Sequence, residues 1–409
     1  METTYRFVLV AVAALWSTGC VDAATGTAVA LFPARIELLD APGLDNRHDY
    51  EISGADWDAP HRTVGDTVFV SEARPHLDGL GRLGFIMNEP APYTAGTPLA
   101  LRITTGAALA STRDLELQWV LSASLRSTTD VDLAPVELGT FSGVATRRDG
   151  AEAAIVLELG PLPDRVDVWT LVLEWELSAE DPGYVGDLAG EGIVEIVVPT
   201  LLADPVAEAP RYKQALLWSA TWGAGEWDRD DPETAHAIAR RMTEGIRTLE
   251  DEGHSYGSFP RPPRAEIDDR VNVYLDFDRT ACGEHRGILM ALIEYHGIDA
   301  SWVWYRFPDD SDDEFVTGAN THYATRVISA VGREPKVWRM TNHIVVDVAG
   351  RIYDPTYTVI KDSWQEYEDW MFERYCRQTF LGFECVPNPA GYAENDGVHP
   401  RLIRADNYK

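Results

Sequence analysis

The sequence predicts a multidomain chain, an all-β sandwich followed by an α+β module, and three observations carry that expectation. Between residues 96 and 199, five segments alternate apolar and polar residues with the period of two that marks half-buried strands. Residues 200–213, "TLLADPVAEAPRYK", place two prolines among small residues and interrupt that texture. Beyond them the apolar spacing changes to that of helices, then returns to strands. A length of 409 residues is ample for two or three cores without staples.

The N-terminus begins with a short polar stretch containing Arg6, then ten apolar residues from Phe7 to Trp16, then "STGC". That order is the pattern of an export signal over residues 1–26, and ten apolar residues are too few to cross a bilayer as a helix. The "STGC" run resembles a bacterial lipoprotein signal, which implies lipidation at Cys20; plain cleavage is the alternative. The expected location is therefore periplasmic or cell-surface, with membrane contact only through an N-terminal lipid anchor. Residues 27–90 are rich in Gly, Pro, Asp and His and read as an irregular lead-in with a few short strands.

The sandwich is expected over residues 91–204. Leu115, Leu117, Trp119, Leu121, Ala123 and Leu125 alternate with more polar neighbours, as do Trp169, Leu171, Leu173, Trp175 and Leu177. Each set should face one core. Several such strands within about a hundred residues imply an immunoglobulin-like sandwich, although the cysteine-tryptophan-cysteine framework of true immunoglobulin domains is missing.

A second domain is expected over residues 205–409. "DDPETAHAIARRMTEGIRTLEDEG" offers Asp231 as N-cap, Pro232 at the first helical position, an apolar face of Ile238, Met242, Ile246 and Leu249, and Gly253 as terminator. The run "TACGEHRGILMALIEYHGIDASWVW" then sets Cys282 at the start of a helix apolar almost all round, closed by Gly297 and followed by a strand. Unpaired N–H groups and the helix dipole at such a start favour a thiolate, and a buried structural thiol is the competing reading.

A nucleophile needs a base, and the base a third group to orient it. "NHIVVDVAGRIYDPTY" reads as a hairpin turning at Ala349 and Gly350. A two-residue turn opposes Val345 to Asp354 and puts His343 and Asp354 on one face as diagonal neighbours, about 7 to 8 Å apart at Cα. Pro355 cannot donate within a central strand, so the chain should leave the sheet there. His285 is a rival base and Asp347 a rival orienter.

Taken together, "CGEHRGILMALIEYHGIDASWVW" and "NHIVVDVAGRIYDPTY" resemble the transglutaminase-like branch of the papain-like superfamily, over about residues 210–375. The resemblance implies a papain-like α+β fold with Cys282 as nucleophile, His343 as base and Asp354 as the residue that orients it. It implies a thiol-dependent acyl-transfer enzyme, with a cysteine peptidase or amidase favoured over a crosslinking protein-glutamine transglutaminase or a non-catalytic binding protein. Val345 stands where the family often has Trp. For the oxyanion, the Cys282 backbone N–H is one candidate donor, and Asn272 or Tyr274 a candidate second.

Net charge and cysteine usage bound the partners. With 66 acidic against 35 basic residues, a formal charge of −31 repels phosphate backbones, so nucleic acid is not an expected partner, and the resemblance implies a protein or peptide substrate. Oligomeric state is not legible. Cys376 and Cys385, nine residues apart, could close a small disulfide loop after export or stay free. Neither CxxC nor a His-rich tract supplies metal ligands, and no cofactor is expected. "DDSDDEF" at 309–315 lacks the spacing of a calcium-binding hand and reads as a solvated loop.

Overall fold

The computed structural model describes residues 31–39, 74–77, 83–87, 92–107, 115–147, 153–179, 188–206, 212–257, 271, 274–275, 279–306, 321–340, 342–379, 382–387 and 403–406. The architecture is β-rich with a few helices. Cys20 with the rest of the expected export signal, Asn272 and the acidic stretch 309–315 lie outside the described residues.

The first part is built from strands β1 (Leu31–Leu39), β2 (Arg74–Leu77), β3 (Leu83–Met87), β4 (Tyr93–Thr94), β5 (Pro98–Ala107), β6 (Leu115–Ser127), β7 (Val136–Arg147), β8 (Ala153–Pro161), β9 (Asp167–Ala179) and β10 (Leu188–Leu201). They form a three-stranded sheet in the order β1-β5-β8 and a seven-stranded sheet, β2-β3-β10-β9-β6-β7, with β4 added beside β10. The alternating residues do what their period requires. Leu99, Leu101 and Ile103 of β5 and Ile155, Leu157 and Leu159 of β8 meet Leu117, Leu121, Leu125, Trp169, Leu171, Leu173, Trp175 and Leu177 of the larger sheet in one buried core. The expected lead-in is not separate from these sheets, because β1 pairs with β5 and β3 with β10. Strand β7 escapes the sequence pattern. It lies at the end of its sheet with Gly139 and Gly143 in its run, and an edge strand exposed on its outer face needs little apolar content.

The remainder comprises α1 (Lys213–Trp222), α2 (Pro232–Thr248), a 3-10 turn at Leu249–Glu252, β11 (Ser255–Tyr256), β12 (Arg279–Thr280), α3 (Cys282–Glu294), β13 (Ser301–Arg306), β14 (Thr321–Ile328), β15 (Lys336–Met340), β16 (Asn342–Val348), β17 (Arg351–Asp354), β18 (Val359–Lys361), α4 (Trp364–Met371), β19 (Phe372–Thr379), β20 (Gly382–Pro387) and β21 (Ile403–Asp406). Helix α2 starts as its sequence dictates: the Asp231 carboxylate accepts the Glu233 N–H, and Pro232 occupies the first turn. Gly253 ends the segment in the left-handed conformation, φ 101°.

A five-stranded sheet, β18-β17-β16-β13-β21, is the scaffold of this half. Val346, Val348 and Tyr353 share a core with Ile238, Met242, Ile246, Ile288, Leu289 and Leu292 from α2 and α3. Val303, Tyr305, Val345 and Ile352 share another with Tyr367, Met371 and Phe372 of α4 and its end. A four-stranded sheet, β15-β14-β19-β20, completes the described part.

The two parts are not beads on a string. The core beneath α1 to α3 also includes Val166, Val168, Leu201 and Leu202 from the strand region. The fully buried His296 is the pin: its Nδ1 accepts the Leu202 N–H at 3.2 Å, and its Nε2 faces the Ser219 carbonyl at 3.3 Å. Burial outweighs the Ser219 carbonyl and lowers its pKa to about 4, so the ring is neutral and both nitrogens can fill these roles. Beside it, Gly297 has φ +71°, and a Cβ there would sit 2.6 Å from the Asp204 carbonyl oxygen. Gly297→Ala therefore meets both left-handed strain and a backbone clash, and should destabilise the protein by about 2 kcal/mol or more. A shift of the urea midpoint measures it, and an unshifted midpoint would mean the contact relaxes without cost.

Candidate active site

Cys282 is the first residue of α3, and the local sequence explains its placement. Thr280 of β12 pairs in parallel register with Tyr256 of β11, which fixes the chain as it enters the helix. The N-cap Ala281 is extended, φ −96° and ψ 178°, and its methyl side chain cannot accept a hydrogen bond. Only the reciprocal half of a capping box is made, from the Ala281 N–H to Glu284 Oε2 at 3.0 Å. An aliphatic N-cap leaves the first-turn N–H groups without the side-chain acceptor that Ser or Asp would supply. Behind Cys282 the helix is buried at Ile288, Leu289, Ala291, Leu292 and Ile293, so the cysteine is held by a rigid element packed against β16. It retains 8% exposure.

The hairpin has the expected register. Val346 faces Tyr353, Asp347 faces Ile352 and Val348 faces Arg351. Ala349 and Gly350 turn with φ of 49° and 91°, the left-handed pair that matches the twist of a two-residue hairpin. Strand β17 ends at Asp354, just before Pro355. His343 Nε2 and Asp354 Oδ2 are 2.8 Å apart, and both side chains are buried, 1% and 0% exposed. Asp354 is itself held: the Tyr367 hydroxyl donates to Oδ2 at 2.6 Å, and the Thr356 and Tyr357 N–H groups donate to Oδ1 at 3.0 and 3.4 Å.

The charge balance favours a protonated base. Burial alone would lower the His343 pKa, but the Asp354 charge and hydrogen bond, with a further contribution from the adjacent Cys282 side chain, raise it to about 10. With Nε2 turned to Asp354, Nδ1 is the nitrogen left for a proton exchanged with sulfur. The structure thus joins His343 to Asp354 by a hydrogen bond and sets Cys282 close enough to contribute to the charge on His343, while His343 Nδ1 has no hydrogen-bond partner among the described residues.

The rivals fall elsewhere. Asp347 accepts the Gly350 N–H at 2.8 Å and serves the turn. His285 is fully buried, and both its ring nitrogens lack a hydrogen-bond partner among the described residues. Burial lowers its pKa to about 3, against the pull of Asp354, which leaves a neutral ring with no carboxylate to orient it. Tyr274, a candidate oxyanion donor, is buried with its ring stacked on His254 at 5.0 Å and edge-on to His285 at 5.2 Å. Burial takes it into a layer of rings with the two histidines, and it gives the expected role no support. Among the described residues no group of three or more His, Cys, Asp or Glu could hold a metal ion, and no helix is long and apolar enough to cross a membrane.

Three tyrosines belong to the site without any motif to announce them. Tyr367 braces Asp354 from α4. The Tyr357 ring centroid is 5.3 Å from that of His343. Tyr256 is 5.9 Å from Tyr357, 6.1 Å from His285 and 5.3 Å from Trp338, so it spans the space between α3 and the far sheet. Cys376 and Cys385 are Cα partners in the register of the β19–β20 hairpin.

Against known proteins, no family model matches the chain. No curated protein matches it either. Among solved structures, it is similar to a protein from Parabacteroides distasonis ATCC 8503 named as a candidate protease, with 9% identity over 67% of this chain and 70% of that one. The TM-score of 0.14 is too low for that likeness to carry any argument.

Proposed function

We propose that the chain is a thiol-dependent acyl-transfer enzyme, a cysteine peptidase or amidase built on a transglutaminase-like, papain-like domain that follows an immunoglobulin-like sandwich. The single observation that carries the reading is the buried His343–Asp354 pair, 2.8 Å apart, beside a cysteine at the start of a buried helix. A structural thiol does not require a buried imidazole held by a carboxylate beside it.

In this mechanism the proton of the pair rests on His343 and the Cys282 sulfur attacks an amide carbonyl. A C–S bond forms while the carbonyl π electrons move to oxygen. On collapse the C–N bond breaks, and the amine departs with the proton from His343. Water, activated by the neutral imidazole, then releases the acid and restores the thiol. Hydrolysis is the first choice because water needs no acceptor site; a substrate amine in its place would give crosslinking. Export, with an anchor at Cys20, completes the reading.

Brief exposure to p-nitrophenyl acetate, followed by mass spectrometry, should find one acetyl group on Cys282 that decays in water. If added glycine ethyl ester takes up the acetyl group faster than water does, the transferase reading gains. An unmodified Cys282 would sink the enzymatic proposal and favour a binding role, consistent with the 8% exposure of the thiol.

A further inference from the structure

Acyl transfer at Cys282 needs a donor for the carbonyl oxygen as it becomes an oxyanion; of the two side chains expected from sequence, Tyr274 lies in the His254–His285 ring layer, and Asn272 is outside the described residues. We propose that the Tyr256 hydroxyl is this side-chain donor, acting with the backbone N–H of Cys282. The inference rests on the reading of Cys282 as nucleophile and adds to it a residue that touches the reacting atoms.

Three features point to Tyr256. Its backbone is fixed relative to Cys282: it pairs with Thr280, two residues before the cysteine, and the next N–H, from Gly257, donates to the Thr280 carbonyl at 2.9 Å. It is pinned from the other side as well, its N–H donating to the Val331 carbonyl at 2.8 Å and its own carbonyl accepting from Arg333 Nε at 2.6 Å. The ring is clamped by His285, Trp338 and Tyr357, at 6.1, 5.3 and 5.9 Å between centroids. A donor held this way needs no reorganisation when charge develops, which is the condition under which oxyanion stabilisation is strong.

The electrostatics agree with a donor role. Burial, and after it the neighbouring Cys282 charge, push the Tyr256 hydroxyl well above its ordinary pKa, so it stays protonated. Tyr256 keeps partial exposure, whereas Tyr357 and Tyr367 are buried. Of the three site tyrosines it is therefore the least buried. The second donor comes from the aliphatic cap at Ala281, which leaves the Cys282 N–H free of a side-chain acceptor. During attack the C–S bond forms, the displaced π pair settles on oxygen between these two N–H and O–H groups, and collapse returns it to the carbonyl; no proton leaves Tyr256.

The test is Tyr256→Phe, which keeps the ring and removes only the hydroxyl. Two reactions of Cys282 are compared: acylation by p-nitrophenyl acetate, which passes through an oxyanion, and alkylation by iodoacetamide at saturated carbon, which does not. The expected result is acylation slowed by about 100-fold with alkylation within about twofold of the parent. Acylation within threefold of the parent overturns the proposal, and so does an equal loss of both reactions, which would mark Tyr256 as a positioning group for the thiol. A parent protein that reacts with neither reagent at Cys282 removes the nucleophile itself, a failure recognisable before any variant is made.

Discussion

On the proposed mechanism, Cys282→Ala is expected to lower kcat/KM for acyl transfer by about 10⁴-fold or more, because the acyl bond forms on its sulfur and only binding and oxyanion stabilisation would remain. The fold should survive. The side chain is small, and deleting a sulfur at 8% exposure creates a cavity costing about 1 kcal/mol. Nitrophenolate release from p-nitrophenyl acetate, measured beside a urea melt, separates the two effects. A folded Cys282→Ala protein that retains a tenth of the parent activity would show that the chemistry lies elsewhere.

Asp354→Asn should be almost as severe for activity and more informative about charge. An amide can donate to Nε2 and turn the imidazole to the wrong tautomer, a change worth about 10⁴-fold where a triad carboxylate is lost in this way. It also removes the principal group that raises the His343 pKa from its ordinary 6.5 to about 10. The folded-state pKa is above the unfolded one, so the stability from this shift is fully present below about pH 6.5 and is lost as pH rises through about 10. The parent protein should therefore lose urea resistance between about pH 7 and about pH 10 through this group, and Asp354→Asn should lose less over the same interval. Parallel curves for the two proteins would mean that Asp354 does not hold the proton on His343.

Much of this site could be read from sequence because it depends on local rules. A two-residue turn at Ala349 and Gly350 fixes a register, the register fixes which side chains are diagonal, and His343 and Asp354 follow. Cys282 was a candidate as the first residue of an apolar run that ends at a glycine, but that placement left a structural thiol open and the family resemblance singled it out. Tyr367 and Tyr256 were not visible. One returns on a short helix that carries no spacing relation to Asp354, and the other arrives through a parallel pair only two residues long. The fold shows the same division. Alternation revealed the strands of the first core, but Val168 and Val172 occupy the polar phase of β9 and are buried all the same. The near-continuous run "VWTLVL" was the available sign that this end of the strand is covered on both faces.

The separation of the site residues along the chain has a kinetic consequence. His343 and Asp354 are eleven residues apart and meet by closing one hairpin, a microsecond-scale event for a free segment. Cys282 lies sixty-one residues upstream of His343, and its helix reaches β16 only when the shared interior forms. Proton-handling machinery thus has low contact order while the nucleophile has high contact order. In a refolding reaction, reactivity of Cys282 under the proposed mechanism should return with burial of the helix and not with the hairpin, so that reactivity would serve as a clock for the slowest, most non-local step of folding.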